Sequence, residues 1–201
     1  AHELQIVHHN QAQFATLARQ AAGVGALAAM LSGMRTLVQG IEAGRLKPDY
    51  DLFASMIEYI DKVPEKVHHP KENEYLFAKL RLRCAEALPA IEALEEEHRL
   101  GDARIATLRA ALENYRQQGA AGFEGFRDAL KTYVADEWHH MNTEEGQIFP
   151  LATAHLTPED WAEIDAAFLA NDNPWQGAAG EYAALFSRIV NIAPSPVGLG
   201  G

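Results

Sequence analysis

The 201-residue chain is 48% hydrophobic and carries a formal charge of −11, with a pI near 5.2. Such a length suits one well-buried domain, and the scattered lysines and arginines exclude a basic stripe tracking a phosphate backbone, so no nucleic-acid partner is expected. The single cysteine, Cys84, excludes an internal disulfide and any Cys-rich zinc or iron–sulfur site, so a bound metal would need nitrogen and oxygen ligands.

Residues 1–22 read as a helical N-terminal extension or the start of a first helix. The most apolar stretch, Ala21 to Met34, is shorter than the ~20 residues that span a bilayer and is bracketed by Arg19 and Arg35. It predicts a core helix and no membrane partner. No secretory signal is visible, and the cytoplasm is the expected compartment.

Apolar residues spaced alternately three and four apart mark the seams of a helical bundle. The first seam runs Leu17, Val24, Leu27, Leu31, Met34, Val38 and Ile41, ending at Gly44. The second follows Pro48 and Asp49, through Leu52, Met56, Tyr59 and Val63 to Pro64. The third reads Ile91, Leu94, His98, Gly101, Ile105, Leu108, Leu112 and Tyr115, stopping near Gly119. The fourth reads Phe123, Phe126, Leu130, Tyr133, Glu137, His140, Glu144, Ile148 and Leu151. Short connections make neighbouring helices antiparallel, so the expected fold is all-α, an up-down-up-down four-helix bundle over 23–155. Residues 156–192 predict one or two further helices packed on the bundle. One opens at Thr157 and Pro158 in "LTPEDWAEIDAAF"; the other, "EYAALFSRIV", packs through Tyr182, Leu185, Phe186 and Ile189. The Pro/Gly-rich tail 193–201 reads as flexible.

Two stretches interrupt the apolar seams in the same way. Glu65, His68, Glu72, Leu76 and Phe77 correspond to Glu137, His140, Glu144, Ile148 and Phe149, an internal repeat of E-x-x-H-x-x-x-E-x-x-x-[LI]-F. Spacings of three and four put the polar residues of each copy on one helical face, which in the fourth helix is the seam itself. His98 joins them from the third helix, with Gly101 leaving room beside it. One uncompensated buried carboxylate costs several kcal/mol, and a domain has only ~5–15 kcal/mol in all. No Lys or Arg lies on these seams at this level. The simplest compensation is two divalent cations among Glu65, Glu72, Glu137 and Glu144, and the donor set suits iron, manganese or zinc. Glu65 and Glu137 either complete the ligand set or orient its histidines. His69, His139, Asn73 and Glu145 sit one step off the seam and read as surface or supporting residues, and Pro70 predicts a kink in its helix. Cys84 reads as core, and the rest of "EALEEEHR" as an exposed charged face.

These residues resemble the hemerythrin-like, or HHE cation-binding, family of bacterial type: "HHPKENEYLF" on the second helix, "EEEH" on the third and "HHMNTEEGQIFPLA" on the fourth. The resemblance runs from about Gly25 to Trp175. It implies a non-haem di-iron centre with His68 and His140 as terminal ligands, Glu72 and Glu144 as bridging carboxylates and His98 as the third-helix ligand. The family's first-helix histidine is replaced by Val24, and many relatives carry histidine where Glu137 stands. His8 and His9 reach the site only through a chain reversal near Gly23 and Gly25. A centre richer in carboxylate than an oxygen carrier's implies slow oxidase or peroxidase turnover rather than reversible dioxygen carriage. The expected function is therefore a hemerythrin-like protein whose di-iron centre meets dioxygen, peroxide or nitric oxide, in sensing, storage, detoxification or iron handling. The alternative is a structural or regulatory module held by zinc or a single iron. A homodimer is compatible with either.

Overall fold

The computed structural model describes residues 25–169, with 185, 187 and 191. The expected positions at Val24, His8 and His9 and the tail 193–201 lie outside these residues, as does most of "EYAALFSRIV". The described residues form helices and no strand, in agreement with the expected all-helical bundle.

The first helix covers 25–42 and buries Leu27, Met30, Leu31, Met34 and Val38. Gly44 terminates it at a φ of +68°, a left-handed conformation that a side chain would oppose. The Asp49 side chain accepts a hydrogen bond from the Leu52 amide at 2.9 Å and starts the second helix. That helix is one continuous rod made of Tyr50–Ile60, Asp61–His68, His69–Lys71, Glu72–Phe77 and Ala78–Arg83. Asp61–His68 and Glu72–Phe77 are π-helical, with wide turns closed by i→i+5 bonds such as His69 N–H to Pro64 C=O. Pro64 and Pro70, which have no amide hydrogen to give, explain why a regular ladder fails here. Pro70, where a kink is expected, lies in the short α-helical segment His69–Lys71 between the two wide turns. The third helix, Leu88–Gln118, ends at Gly119, whose φ is +57°. The fourth comprises Phe123–Thr143, a π-helical Glu144–Ile148 and Phe149–His155.

The repeat read from the sequence is therefore also a repeat of backbone form. Each copy enters a wide turn at its second glutamate, Glu72 or Glu144. A last helix, Pro158–Leu169, opens with a reciprocal cap in which Thr157 and Asp160 each bind the other's backbone amide through a side-chain oxygen, at 3.0 and 3.3 Å. Asp160 also accepts from Arg83 Nε at 2.9 Å, tying this helix to the end of the second. Residues 185, 187 and 191 are helical, and Leu185 packs into the bundle core.

The core is divided. One apolar cluster joins Leu27, Met34, Phe53, Tyr59, Ile105, Phe126 and Tyr133. The other joins Phe77, Leu80, Cys84, Ile91, Leu94, Ile148, Trp161 and Phe168. Each fully buried side chain of this size contributes about 1.5–3 kcal/mol, so two such clusters can offset a costly polar layer between them.

Candidate metal centre

That polar layer contains the residues singled out from the sequence. Glu65, Glu72, Glu137, His140 and Glu144 are buried, and the side chains of His98 and His68 are almost so. His68 Nε2 lies 3.0 Å from Glu72 Oε1, and His98 Nε2 lies 3.7 Å from Glu72 Oε2. His140 Nε2 is 3.5 Å from Glu144 Oε1 and 3.2 Å from His98 Nε2. His139 and Glu145 are exposed, as expected.

His69 is not a surface residue. It is buried, its ring stacks on His98 at 4.2 Å between centroids, and it shares a compact cluster with Glu72, His98 and His140. The wide turn Asp61–His68 is the reason, because it holds one residue more than an α-turn and so rotates later side chains back by about 100° relative to a regular helix. His68 and His69 consequently share the inward face. His69 brings an imidazole to the cluster with Glu72, His98 and His140, so the layer is less dominated by carboxylate than the sequence implied.

Three acceptors orient the rings. His98 Nδ1 lies 2.8 Å from Asn73 Oδ1, His140 Nδ1 lies 2.8 Å from Glu97 Oε2, and His69 Nδ1 lies 3.3 Å from Glu65 Oε2. An amide or carboxylate oxygen can only accept, so each Nδ1 carries a proton, and Nε2 is the nitrogen left to serve a cation once any proton on it is displaced. Glu97 belongs to the run read as an exposed face. It is part-buried instead, and no periodic signal marks it, because its partner comes from another helix.

The carboxylates supply the test of fit for a cation. Glu72 Oε1 and Oε2, Glu137 Oε2 and Glu144 Oε1 are buried with no aligned hydrogen-bond donor. Such oxygens cost free energy unless something positive faces them, and imidazole nitrogen with carboxylate oxygen is a donor set for iron, manganese or zinc. Residues 12–152 match the family model described as the hemerythrin HHE cation binding domain. The chain belongs to this family. No curated protein matches it, and no solved structure does.

Without a cation, the hemerythrin-like layer holds its charge unevenly. Burial pushes His98 down to about 2, helped by the neighbouring His69 and opposed by Glu72, so its ring is neutral. Burial alone would lower His140 too, but Glu144, Glu97 and Glu72 carry it up to about 11. The imidazolium proton on His140 Nε2 therefore faces the lone pair of His98 Nε2. Burial raises Glu144 to about 7, reinforced by the charge of Glu72 and opposed by His140. Glu72 also feels a burial penalty, but His68 and the other imidazoles hold it below the usual carboxylate range.

Glu65 fills the space beside Gly101. A Cβ on Gly101 would lie 1.9 Å from Glu65 Oε2, and the other oxygen of Glu65 lies 3.4 Å from the buried hydroxyl of Tyr133. Phe168 of the Pro158–Leu169 helix meets His68 edge-on at 5.7 Å, and Lys71 Nζ lies 5.7 Å from the same phenyl ring.

Proposed function

We propose that this hemerythrin-like protein holds two non-haem irons through His68, Glu72, His98, His140 and Glu144, with Glu65 and Glu137 either completing the ligand set or orienting its histidines. We further propose that the loaded centre meets dioxygen, peroxide or nitric oxide. The observation that carries the reading is the set of buried carboxylate oxygens without aligned donors, with imidazole nitrogens converging on them. Bound iron would supply a redox change and an open position for a small ligand.

The chain's own part is to orient, to exclude water and to hold protons at defined atoms. Glu97 and Asn73 keep the protons of His140 and His98 on Nδ1, which turns each Nε2 towards the cluster. Phe77 stacks on the outer face of His98 at 5.8 Å, and the two apolar clusters close the layer from either end. Phe168 shields the His68 edge. Among the described residues no helix is long and apolar enough to cross a membrane.

Metal uptake has to displace the proton between His140 and His98 and whatever proton Glu144 retains. Between pH 6 and 8 apparent zinc or iron(II) affinity is therefore expected to rise by about tenfold per pH unit for each proton released. Calorimetric titration in buffers of different ionisation enthalpy measures the proton count directly; binding without proton release would contradict the assigned charges.

The function itself is tested by metal content per chain in protein purified without added metal or chelator, with optical spectra in air and after dithionite. About two irons with a near-ultraviolet band lost on reduction is the expected result. Zinc alone would favour the structural module, a reading supported by the position of the layer between two halves of the core. Autoxidation in air would support oxidase or peroxidase turnover; a persistent, reversible oxygenated spectrum would overturn it.

A further inference from the structure

We propose that Glu65 acts through His69 rather than as a ligand, and that Gly101 and Tyr133 form the seat that lets it turn His69 Nε2 onto the metal centre. The assignment rests on the metal reading above and refines it.

The pattern of the three rings carries the argument. In His98 and His140 the Nδ1 proton is held by an acceptor outside the cluster, Asn73 and Glu97, and Nε2 faces inward. His69 repeats the arrangement, with Glu65 Oε2 on Nδ1 at 3.3 Å. Holding one ring nitrogen by a carboxylate fixes both the tautomer and the ring plane, leaving the other nitrogen free to ligate. The His69 ring is already fixed in plane, lying within 10° of His98 at 4.2 Å.

Glu65 in turn is held on two sides. Tyr133, itself buried, places its hydroxyl 3.4 Å from Oε1. The third helix approaches so closely that only a residue without a Cβ leaves room for Oε2, since a methyl at Gly101 would lie 1.9 Å from that oxygen and 2.7 Å from Cδ. Glycine in the interior of a 31-residue helix is otherwise unfavourable, so its place opposite this carboxylate has a cost that the seat explains. The device also supplies an imidazole in a family member whose sequence has Val24 where the resemblance expects histidine.

The test uses full-length protein and compares zinc(II) affinity, by competition with a chromophoric chelator, with the melting temperature of the metal-free chain. His69→Ala is expected to lower affinity, and Gly101→Ala to lower it about 10- to 100-fold, while the metal-free melting temperature of Gly101→Ala stays equal or rises because alanine favours the helix. The displaced atoms are the far end of a flexible side chain, so folding should survive. Glu65→Gln keeps an oxygen acceptor for Nδ1 and should remain within a few-fold of the unsubstituted protein, whereas Glu72→Gln should not. If Glu65→Gln is as damaging as Glu72→Gln, Glu65 is a ligand and the proposal is overturned. Unchanged affinity in His69→Ala and Gly101→Ala overturns it as well. Absence of zinc or iron(II) binding by the unsubstituted chain would instead remove the metal reading, and this assignment with it.

Discussion

With chelator present at pH 8, Glu144→Gln is expected to need about 1 M more urea to unfold than the unsubstituted chain, whereas at about pH 4 the two should unfold together. Glu144 is buried, and its Oε1 has no aligned donor. Burial, with the charge of Glu72 added, raises its pKa from 4.5 to about 7 against the pull of His140. The folded chain therefore binds this proton more tightly than the unfolded chain. The resulting stability is fully present below pH 4.5 and is lost as pH rises through about 7. A rise of that size corresponds to roughly 3 kcal/mol, and glutamine resembles the protonated acid while never paying the charge penalty. The same substitution removes a proposed ligand, so the variant should gain metal-free stability as it loses metal uptake. Equal midpoints at pH 8, or a lower one for the variant, would show that Glu144 is not held against its charge.

The second large effect is that of the metal itself. Saturating zinc or iron(II), at about a thousand times the dissociation constant, adds ~4 kcal/mol to a protein that binds it only when folded. For a chain of this length each kcal/mol raises the melting temperature by ~2–4 °C, so loading should raise it by on the order of 10 °C and a chelator should reverse the gain. His140→Ala should abolish most of the difference, because His140 lies within reach of His98 and Glu144 and is clamped by Glu97. Scanning calorimetry of chelated and reloaded protein measures this. An identical melting temperature in both states would count against the structural module and against tight binding in this layer.

Both effects trace to a feature visible in the amino-acid order. The seams of the third and fourth helices, the glycine stops at Gly44 and Gly119, and the Thr157 cap lie where spacing and turn chemistry place them. Periodicity averages over many residues, so one irregular turn does not hide it. The repeat was equally legible, because two copies of a polar pattern on an apolar seam need a common physical cause.

His69, Glu97 and the use made of Gly101 were not legible in the same way. A helical wheel advances 100° per residue, and His69 falls off the seam on that count. The wide turn that contains Pro64 brings it inside, and its extent depends on how the second helix packs against its neighbours. Glu97 sits in a run of glutamates whose members differ only in what faces them, and the group facing Glu97 is contributed by the fourth helix. Gly101 marked a close approach, but the carboxylate filling it comes from another helix.

The sequence by itself determined the helices, their antiparallel order and the level of the polar layer, because these follow from local spacing and capping. Tertiary structure alone decided which imidazoles face inward and which oxygens hold them, because a hydrogen bond between helices depends on ångström-scale distances between backbones that no single helix's periodicity encodes.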